Sequence, residues 1–246
     1  MGNVSASQDG RVLGILGGLG PMATAYFYEL VITHTRAETD QQHIDMVISS
    51  KATTPDRTAF ILGESPDDPF VVMESEAKRL VTFGADVIAI PCNTAHYFYA
   101  RLNEVIPVPV LNMVRLTVEK AAALGCGKVG VLATTGTVAT RTYQLECERQ
   151  GLACAVPDEA GQRQVMRVIY EDIKGGKPPR MELFCEAADA LFAQGCQLLV
   201  LGCTELSLLK RNGLLDGRYL DSMDALTEAA ILACGKTPIG LEWPVL

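Results

Sequence analysis

The stretch GADVIAIPCNTAH, residues 84–96, decides the fold because a near copy, GCQLLVLGCTEL, follows at residues 195–206. In each copy a glycine begins the stretch, an apolar run of strand length follows, and a cysteine comes shortly after that run. Such runs are typical of parallel strands that are buried on both faces. The pattern therefore predicts that Cys92 and Cys203, 203 − 92 = 111 residues apart, lie just past the ends of two equivalent strands.

The repetition extends through most of the chain. Gly14-Ile15-Leu16 matches Gly130-Val131-Leu132 at an offset of 116 residues, and Leu116-Thr117 matches Leu226-Thr227 at an offset of 110. Offsets that differ by only a few residues indicate one duplicated unit whose copies differ in loop length. We expect an α/β fold of two pseudo-symmetric, doubly wound domains with parallel sheets, produced by an internal duplication.

Alternating strand and helix patterns support this fold class. Each half begins with a strand, a turn and a helix, and one further helix is expected from about residue 93 to residue 103. The predicted strands cover residues 12–16, 44–49, 87–90 and 108–111 in the first half and residues 129–133, 152–156, 198–201 and 219–221 in the second.

The composition argues against several classes of protein. A chain of 246 residues with a net charge of −8 and a pI near 5.0 offers no basic stripe to nucleic acid, and phosphate binding depends on clustered Lys and Arg. No run approaches the ~18 apolar residues of a membrane span, and residues 1–10 lack the apolar core of a signal peptide. We expect a cytoplasmic protein that binds neither nucleic acid nor a membrane.

The eight cysteines show no paired spacing. Without CxxC pairs or Cys/His pairs they fit neither a disulfide framework nor a zinc site, so we expect free thiols in a reducing compartment and no metal. Cys92 and Cys203 differ from the rest because they occupy equivalent strand ends, where ligand groups gather in α/β sheets. The others are interpreted as small buried hydrophobic residues: Cys126, Cys147, Cys154, Cys185, Cys196 and Cys234.

A glycine-rich turn, Gly17 to Pro21, follows the first strand. Gly18, Gly20 and Ala23 match a dinucleotide-binding fingerprint, but the next strand ends in Ser49-Ser50 and not in the acid that would bind a ribose. We therefore expect no nucleotide cofactor and interpret the segment as a turn whose backbone lines a pocket.

Two cysteines on facing halves suit a particular kind of proton chemistry. A helix that starts next to each cysteine would lower the thiol pKa and would bind a carboxylate. One sulfur on each side of a carbon can remove a proton from one face and deliver a proton to the other, which is racemisation or epimerisation. Each sulfur must lie within reach of that carbon, so we expect the two sulfurs roughly 6 to 8 Å apart.

His96 offers an alternative, because it stands four residues after Cys92 and can face it on a helix. A cysteine hydrolase would use this pair, yet that function would leave Cys203 unexplained. We expect His96 to make an orienting or structural hydrogen bond.

Arg57 follows Pro55-Asp56 near a predicted strand end, where it can bind an anionic ligand group. The alternative is a surface arginine paired with Asp56. The sequence leaves both open.

Several segments resemble the aspartate/glutamate racemases, in particular the aspartate racemase branch of the cofactor-independent amino-acid racemases. The matching segments are GILGGLGPMAT at 14–24, PDRT at 55–58, PCNTAH at 91–96, GVLAT at 130–134 and LGCTEL at 201–206. The resemblance implies a site between two half-domains, no cofactor and a homodimer. It also implies that the C-terminal strand and helix complete the first half, which gives domains of residues 1–112 plus 218–246 and residues 113–217.

The resemblance further implies roles for individual residues. Cys92 and Cys203 would be the acid/base pair, and Arg57 would bind a side-chain carboxylate. Lys174 would supply a second cation, although a plain helix-terminal lysine is the alternative. The residues expected to bind the rest of the substrate are Asn93, Thr94 and Thr204, together with Thr135 in the turn after the first strand of the second half.

The segment SSKATT at residues 49–54 departs from the family pattern, in which asparagine and proline precede PDR. Because this segment is expected to border the substrate side chain, aspartate, glutamate or another anionic amino acid remains open. The predicted function is racemisation of an acidic amino acid, aspartate first, without pyridoxal phosphate. The alternatives are maleate cis-trans isomerisation and hydantoin racemisation on the same scaffold, or a non-catalytic amino-acid-binding protein.

Overall fold

The computed structural model describes residues 10–246, and two parallel sheets carry its fold. The polar segment of residues 1–9 lies outside the described residues. The first sheet, in the order β2-β1-β3, contains β1 (Leu13–Gly17), β2 (Met46–Ser50) and β3 (Val87–Ala89). The second sheet, in the order β5-β4-β6-β7, contains β4 (Lys128–Ala133), β5 (Ala153–Ala155), β6 (Leu198–Gly202) and β7 (Tyr219–Asp221).

The two sheets share one topology, as the internal duplication predicts. β1 and β4 lie centrally, each with the next strand of its half on one side and a cysteine-bearing strand on the other. The predicted strand at residues 108–111 contributes only a parallel bridge from Val110 to Ile88, beside β3. That bridge corresponds to β7, which pairs with β6. The doubly wound α/β fold is therefore confirmed.

The helices cover both faces of each sheet. Instead of one helix over residues 93–103, a 3₁₀-helix (Thr94–Phe98) precedes a short α-helix, and a π-helix covers Arg167–Ile173. The α-helices are α1 (Pro21–His34), α2 (Arg57–Ile61), α3 (Pro69–Thr82), α4 (Tyr99–Val105), α5 (Met113–Ala123), α6 (Thr135–Ala139), α7 (Thr142–Gln150), α8 (Glu159–Met166), α9 (Met181–Ala193), α10 (Ser207–Arg211) and α11 (Ser222–Ala233).

Apolar residues form a core on each face of each sheet. In the first half, Phe27 of α1 packs on one face and Leu80 of α3 on the other. In the second half, Phe184 of α9 and Tyr143 of α7 occupy the equivalent layers. Helices on both faces explain why the central strands read as continuous apolar runs.

The C-terminal segment divides between the two halves. β7 continues the hydrogen-bond ladder of β6, so the expectation that this strand completes the first sheet is wrong. The equivalent edge of the first sheet is occupied by Val110. In α11, Leu226 and Ala230 belong to the core cluster that contains Leu13. The remaining division into residues 1–112 plus 218–246 and residues 113–217 stays a prediction.

The glycine turn after β1 is needed for a close approach of two loops. Gly18 has a φ of +83°, and a Cβ there would lie 2.3 Å from the backbone nitrogen of Lys51. Only glycine fits both the left-handed backbone and the contact. Gly18 and Gly20 border a cavity, which confirms the interpretation of this turn as a pocket wall.

None of the helices within residues 10–246 combines the length and the apolar composition that a membrane crossing requires.

Candidate active site

Cys92 and Cys203 line the same cavity between the two halves of the molecule. Each follows the carboxyl end of its strand, β3 or β6, and their exposed fractions are only 6% and 5%. We call this space, of about 10 Å³, the inner cavity. Its lining residues are Leu19, Asp56, Arg57, Thr58, Cys92, Asn93, Thr94, Thr134, Tyr170, Lys174, Cys203, Thr204 and Glu205.

The structure brings together every predicted site residue except Thr135. Thr135 begins α6, and its hydroxyl accepts a hydrogen bond from Gln162 Nε2 of α8 at 3.3 Å. Its neighbour Thr134, the N-cap of α6, lines the inner cavity instead. The assignment of Thr135 is therefore corrected to Thr134, because the cap position faces the other half and the first helical position does not.

Three hydroxyl groups meet across the two halves at this cap. Thr94 Oγ1 lies 2.9 Å from Thr134 Oγ1 and 3.0 Å from Thr137 Oγ1, and the last two are 3.1 Å apart. All three side chains are buried. Thr94 thus lines the cavity, as expected. The sequence did not indicate that Thr134 and Thr137 would be its hydrogen-bond partners.

Asn93 reaches the cavity, but both ends of its side-chain amide are already bound. Nδ2 donates to Ser222 Oγ at 3.0 Å, and Oδ1 accepts from the Tyr143 hydroxyl at 2.6 Å. Asn93 was expected to bind the carboxylate or amine of the substrate, and that role stays a prediction, because the amide oxygen can accept and the amide nitrogen can donate one further hydrogen bond. The partners lie on α7 and at the start of α11, which only the tertiary structure brings near Asn93.

Arg57 is buried and holds the loops that form one wall of the cavity. Asp56 caps α2 by accepting from Ala59 N, which places Arg57 at the first helical position. Its Nη1 donates to the carbonyl oxygens of Thr54 and Pro55, and its Nη2 donates to that of Leu19 at 2.8 Å. The alternative of a surface arginine is wrong.

Three of the five guanidinium N–H groups of Arg57 are used by these carbonyl groups. Nε is buried and has no partner within the described residues. Nε–H and one N–H of Nη2 therefore remain for a ligand.

Lys174 follows the π-helix and supplies the second cation. Its Nζ lies 3.9 Å from the centre of the Tyr170 ring and 4.0 Å from Asp56 Oδ2. Burial acts to lower the pKa of Lys174, but Glu205, Cys203, Tyr170 and Asp56 together raise the pKa above its usual value. The ammonium group is therefore charged, and Lys174 lines the inner cavity.

Tyr170, from the same π-helix, joins the two halves. Its hydroxyl donates to Asp56 Oδ2 at 3.1 Å. Burial opposes ionisation of Asp56, yet the Ala59 N–H and the Lys174 and Arg57 cations hold the pKa of that carboxyl below its usual range. Asp56 is therefore an anion that positions two cations.

Glu205 is the acidic residue that contacts the Cys203 thiol, and sequence reasoning missed it. The Cys203 thiol donates to Glu205 Oε2 at 3.0 Å. The sequence did contain a signal for this contact, because in LGCTEL a glutamate stands two residues after the cysteine. Gly20 permits the contact between the halves, because a Cβ there would lie 2.7 Å from Glu205 Oε1.

The environment of Cys203 favours the thiol. Burial and the adjacent Glu205 carboxylate raise the pKa of Cys203 well above its usual value, and Lys174 only partly opposes this. The expectation that a helix start lowers the thiol pKa is wrong here. The reason is that α10 begins four residues later and is short, whereas the carboxylate touches the sulfur.

His96 makes structural hydrogen bonds, as predicted. Met113 N donates to Nε2 at 3.0 Å, so Nδ1 carries the proton and donates to the Cys92 carbonyl oxygen at 2.9 Å. Burial lowers the pKa of His96, which keeps the ring neutral. Both ring nitrogens contact backbone groups, and the ring does not line the inner cavity. A Cys-His hydrolase pair is therefore not formed.

A second, wider space opens onto the inner cavity. This outer cavity, of about 390 Å³, shares Asp56, Arg57, Lys174 and Glu205 with the inner one. The inner cavity has room for about one water molecule. A substrate that enters from the outer cavity must therefore widen the space between the cysteines. The outer wall also includes Met22, Ala52, Ile173 and Leu208.

Within the described residues, no group of three His, Cys, Asp or Glu side chains is arranged to hold a metal ion.

Comparison with known proteins identifies the family of the chain. The family described as Asp/Glu/Hydantoin racemase matches residues 16–230. The aspartate racemase of Picrophilus torridus superposes with a TM-score of 0.79 at 28% identity and covers 94% of this chain and 96% of its own. The chain is 26% identical over 230 residues to the broad specificity amino-acid racemase RacX of Bacillus subtilis, covering 89% of this chain and 96% of RacX.

A glutamate racemase of Ectopseudomonas mendocina is 32% identical over 161 residues, which cover 63% of this chain and 59% of that relative. The family match extends over most of the chain and includes both cysteine strands and Arg57. The chain therefore belongs to the Asp/Glu/hydantoin racemase family, a family of isomerases.

Proposed function

We propose that this protein racemises an acidic amino acid, with aspartate as the first expected substrate and glutamate as the second. The observation that carries the proposal is that Cys92 and Cys203, from opposite halves, line one buried cavity together with Arg57 and Lys174. The family match and the similarity to an aspartate racemase support it.

The proposed reaction needs one thiolate and one thiol. The thiolate removes the α-proton from one face of the substrate, and the thiol on the other face donates its proton to the carbanion. The product is the opposite enantiomer, and the two sulfurs have exchanged protonation states. Proton removal and delivery are both supplied by cysteine, so the proposal requires no pyridoxal phosphate.

Lys174 and Arg57 are the groups that we expect to bind the carboxylates. Both lie on the boundary between the inner and outer cavities. Charge-assisted hydrogen bonds to carboxylates are about twice as strong as neutral ones. Because the whole chain carries a net charge of −8, these short contacts must overcome a long-range repulsion.

A broader amino-acid specificity is the second candidate. The two cations at the inner cavity are balanced by two anions, Asp56 and Glu205. The outer wall carries apolar side chains such as Met22 and Leu208. A relative, RacX, is described as a broad specificity amino-acid racemase. A substrate with a neutral or longer side chain would therefore bind more favourably here than in a purely basic pocket.

The test is α-hydrogen exchange in deuterated water without any added cofactor. We expect L- and D-aspartate to incorporate deuterium at Cα and to lose optical activity, with glutamate second and neutral amino acids slower. Parallel incubations with maleate and with a 5-substituted hydantoin test the two isomerase alternatives. An amino-acid-binding protein would be stabilised by ligand without any exchange. Absence of exchange and of racemisation across aspartate, glutamate and related acids would refute the proposal.

Glu205→Gln should change the pH dependence of the reaction. The Glu205 carboxylate helps to raise the pKa of Cys203, so its removal lowers that pKa. For the enantiomer whose α-proton Cys203 removes, the rising limb of kcat/KM against pH should move to lower pH. For the other enantiomer the falling limb should move in the same direction, because Cys203 must then carry its proton.

Glu76→Gln is the matched control for this experiment. Glu76 is equally buried, but it bonds to Ser49 outside the two cavities. Its substitution should leave both limbs in place. If both limbs of the kcat/KM profile stay in place in Glu205→Gln, Glu205 has no direct effect on the pKa of Cys203.

A homodimer and a cytoplasmic location remain predictions that rest on the resemblance and on composition. Light scattering coupled to size exclusion would test the dimer.

A further inference from the structure

We propose that Asn93, Tyr143 and Ser222 form an interdomain clamp that sets the spacing between Cys92 and Cys203. The inference rests on the proposed two-cysteine function and assigns positioning roles to Tyr143 and Ser222. Neither of these two side chains lines the inner or the outer cavity. They would therefore act on the reaction only through Asn93 and the strand that carries Cys203.

Three hydrogen bonds form the clamp. The Tyr143 hydroxyl donates to Asn93 Oδ1 at 2.6 Å, and Asn93 Nδ2 donates to Ser222 Oγ at 3.0 Å. Ser222 Oγ in turn donates to the carbonyl oxygen of Leu201 at 2.7 Å. The exposed fractions of Asn93, Tyr143 and Ser222 are 2%, 0% and 0%, so water does not compete for these bonds.

The path of these bonds runs from one cysteine to the other. Asn93 is bonded covalently to Cys92, and Leu201 lies two residues before Cys203 on β6. Asn93 and Ser222 are 129 residues apart in sequence. The clamp therefore joins the end of β3 in the first half to the end of β6 in the second through a single side-chain amide.

The geometry of Ser222 is itself fixed. Asp221 caps α11 by accepting from Met223 N at 2.9 Å and accepts from the Ser207 hydroxyl at 2.7 Å. Burial raises the pKa of Tyr143 above its usual value, so its hydroxyl remains a donor at neutral pH. All three members of the clamp are uncharged, so none of its bonds is an ion pair.

The proposed reaction needs such a device because the inner cavity is too small for a substrate. The two halves must separate to admit it and return to the same spacing. A displacement of a reacting group by 1 Å can cost on the order of a hundredfold in rate. If one sulfur is displaced, the other can still remove a proton, exchange it with solvent and return it to the same face.

Ser222→Ala and Tyr143→Phe break different bonds of the clamp and provide the test. In deuterated water we expect kcat for racemisation to fall roughly tenfold to a hundredfold, with a smaller change in KM. Deuterium in the recovered starting enantiomer should rise relative to deuterium in the product. A loss of folded protein alone would lower both by the same factor and leave this ratio unchanged.

Thr227→Val is the matched control. Thr227 is also fully buried on α11, but its hydroxyl donates to Met223 O inside the same helix. It should leave the ratio of exchange to racemisation at the wild-type value.

A second readout does not depend on catalysis. A short bis-alkylating thiol reagent followed by peptide mass spectrometry measures the yield of the Cys92–Cys203 cross-link. We expect a lower yield in both clamp variants than in the wild type and in Thr227→Val.

The outcomes separate the two proposals. An inactive wild type refutes the proposed function, whereas the cross-link still tests the spacing. An active wild type with unchanged kcat, labelling ratio and cross-link yield in both folded variants would overturn the clamp. Equal losses of racemisation and exchange that follow the folded fraction would overturn it as well.

Discussion

Cys92→Ala and Cys203→Ala should each reduce racemisation of aspartate to background. In the proposed reaction each sulfur acts as the base for one enantiomer and as the acid for the other, so neither direction should proceed with only one sulfur. Both thiols line the inner cavity, and no other cysteine does. Chiral chromatography of product formed from each pure enantiomer is the direct measurement.

The two single variants should differ in hydrogen exchange. Each should still exchange the α-hydrogen of only one enantiomer, the one whose proton faces the remaining sulfur. Cys126→Ala is the matched control, because Cys126 has the same 6% exposed fraction as Cys92 but donates to Lys128 O away from the site. Near-normal turnover in either active-site variant would rule out the two-base mechanism.

Arg57→Ala should give the next largest loss, at least tenfold in kcat/KM for an acidic substrate. The loss of one charge-assisted bond costs about 1.5 to 3 kcal/mol, which corresponds to tenfold or more. The structure adds a second cause, because three carbonyl oxygens would lose their donor. Arg57→Lys keeps the charge but cannot bind these carbonyl groups and a ligand together.

A comparison of acidic and neutral substrates separates these causes. If Arg57 binds the side-chain carboxylate, kcat/KM for aspartate should fall much more than kcat/KM for a neutral amino acid. If both fall equally, Arg57 supports only the loops of Leu19 and Thr54, and the acidic-substrate proposal loses its main support. Arg149→Ala, a change of an exposed arginine paired with Glu146 outside both cavities, should leave both values unchanged.

The sequence by itself determined the parallel α/β architecture and the position of both cysteines. These features depend on local patterns: an apolar run long enough for a buried strand, repeated with nearly the same offset. The strands that precede Cys92 and Cys203 are therefore present as predicted. The convergence of Cys92, Arg57 and Lys174 on one cavity was expected from the family resemblance.

The tertiary structure decided which partner each polar group has. Asn93 was expected to bind the substrate, and the structure adds a bond from its side-chain amide to Ser222, which is 129 residues away in sequence. Arg57 was expected either to bind a ligand or to lie on the surface, but its guanidinium is buried and donates to three backbone carbonyl groups. Glu205 was not singled out, although its carboxylate accepts a hydrogen bond from the Cys203 thiol.

The difference between local pattern and tertiary partner also explains why the sheet of the C-terminal strand was predicted wrongly. An apolar strand pattern shows that residues 219–221 are buried, but it does not show which sheet edge they extend. Hydrogen bonds to β6 placed this strand in the second sheet. Local burial follows from the order of residues in the chain, whereas hydrogen-bond partners follow from how the two halves pack, and most buried polar groups find a partner there.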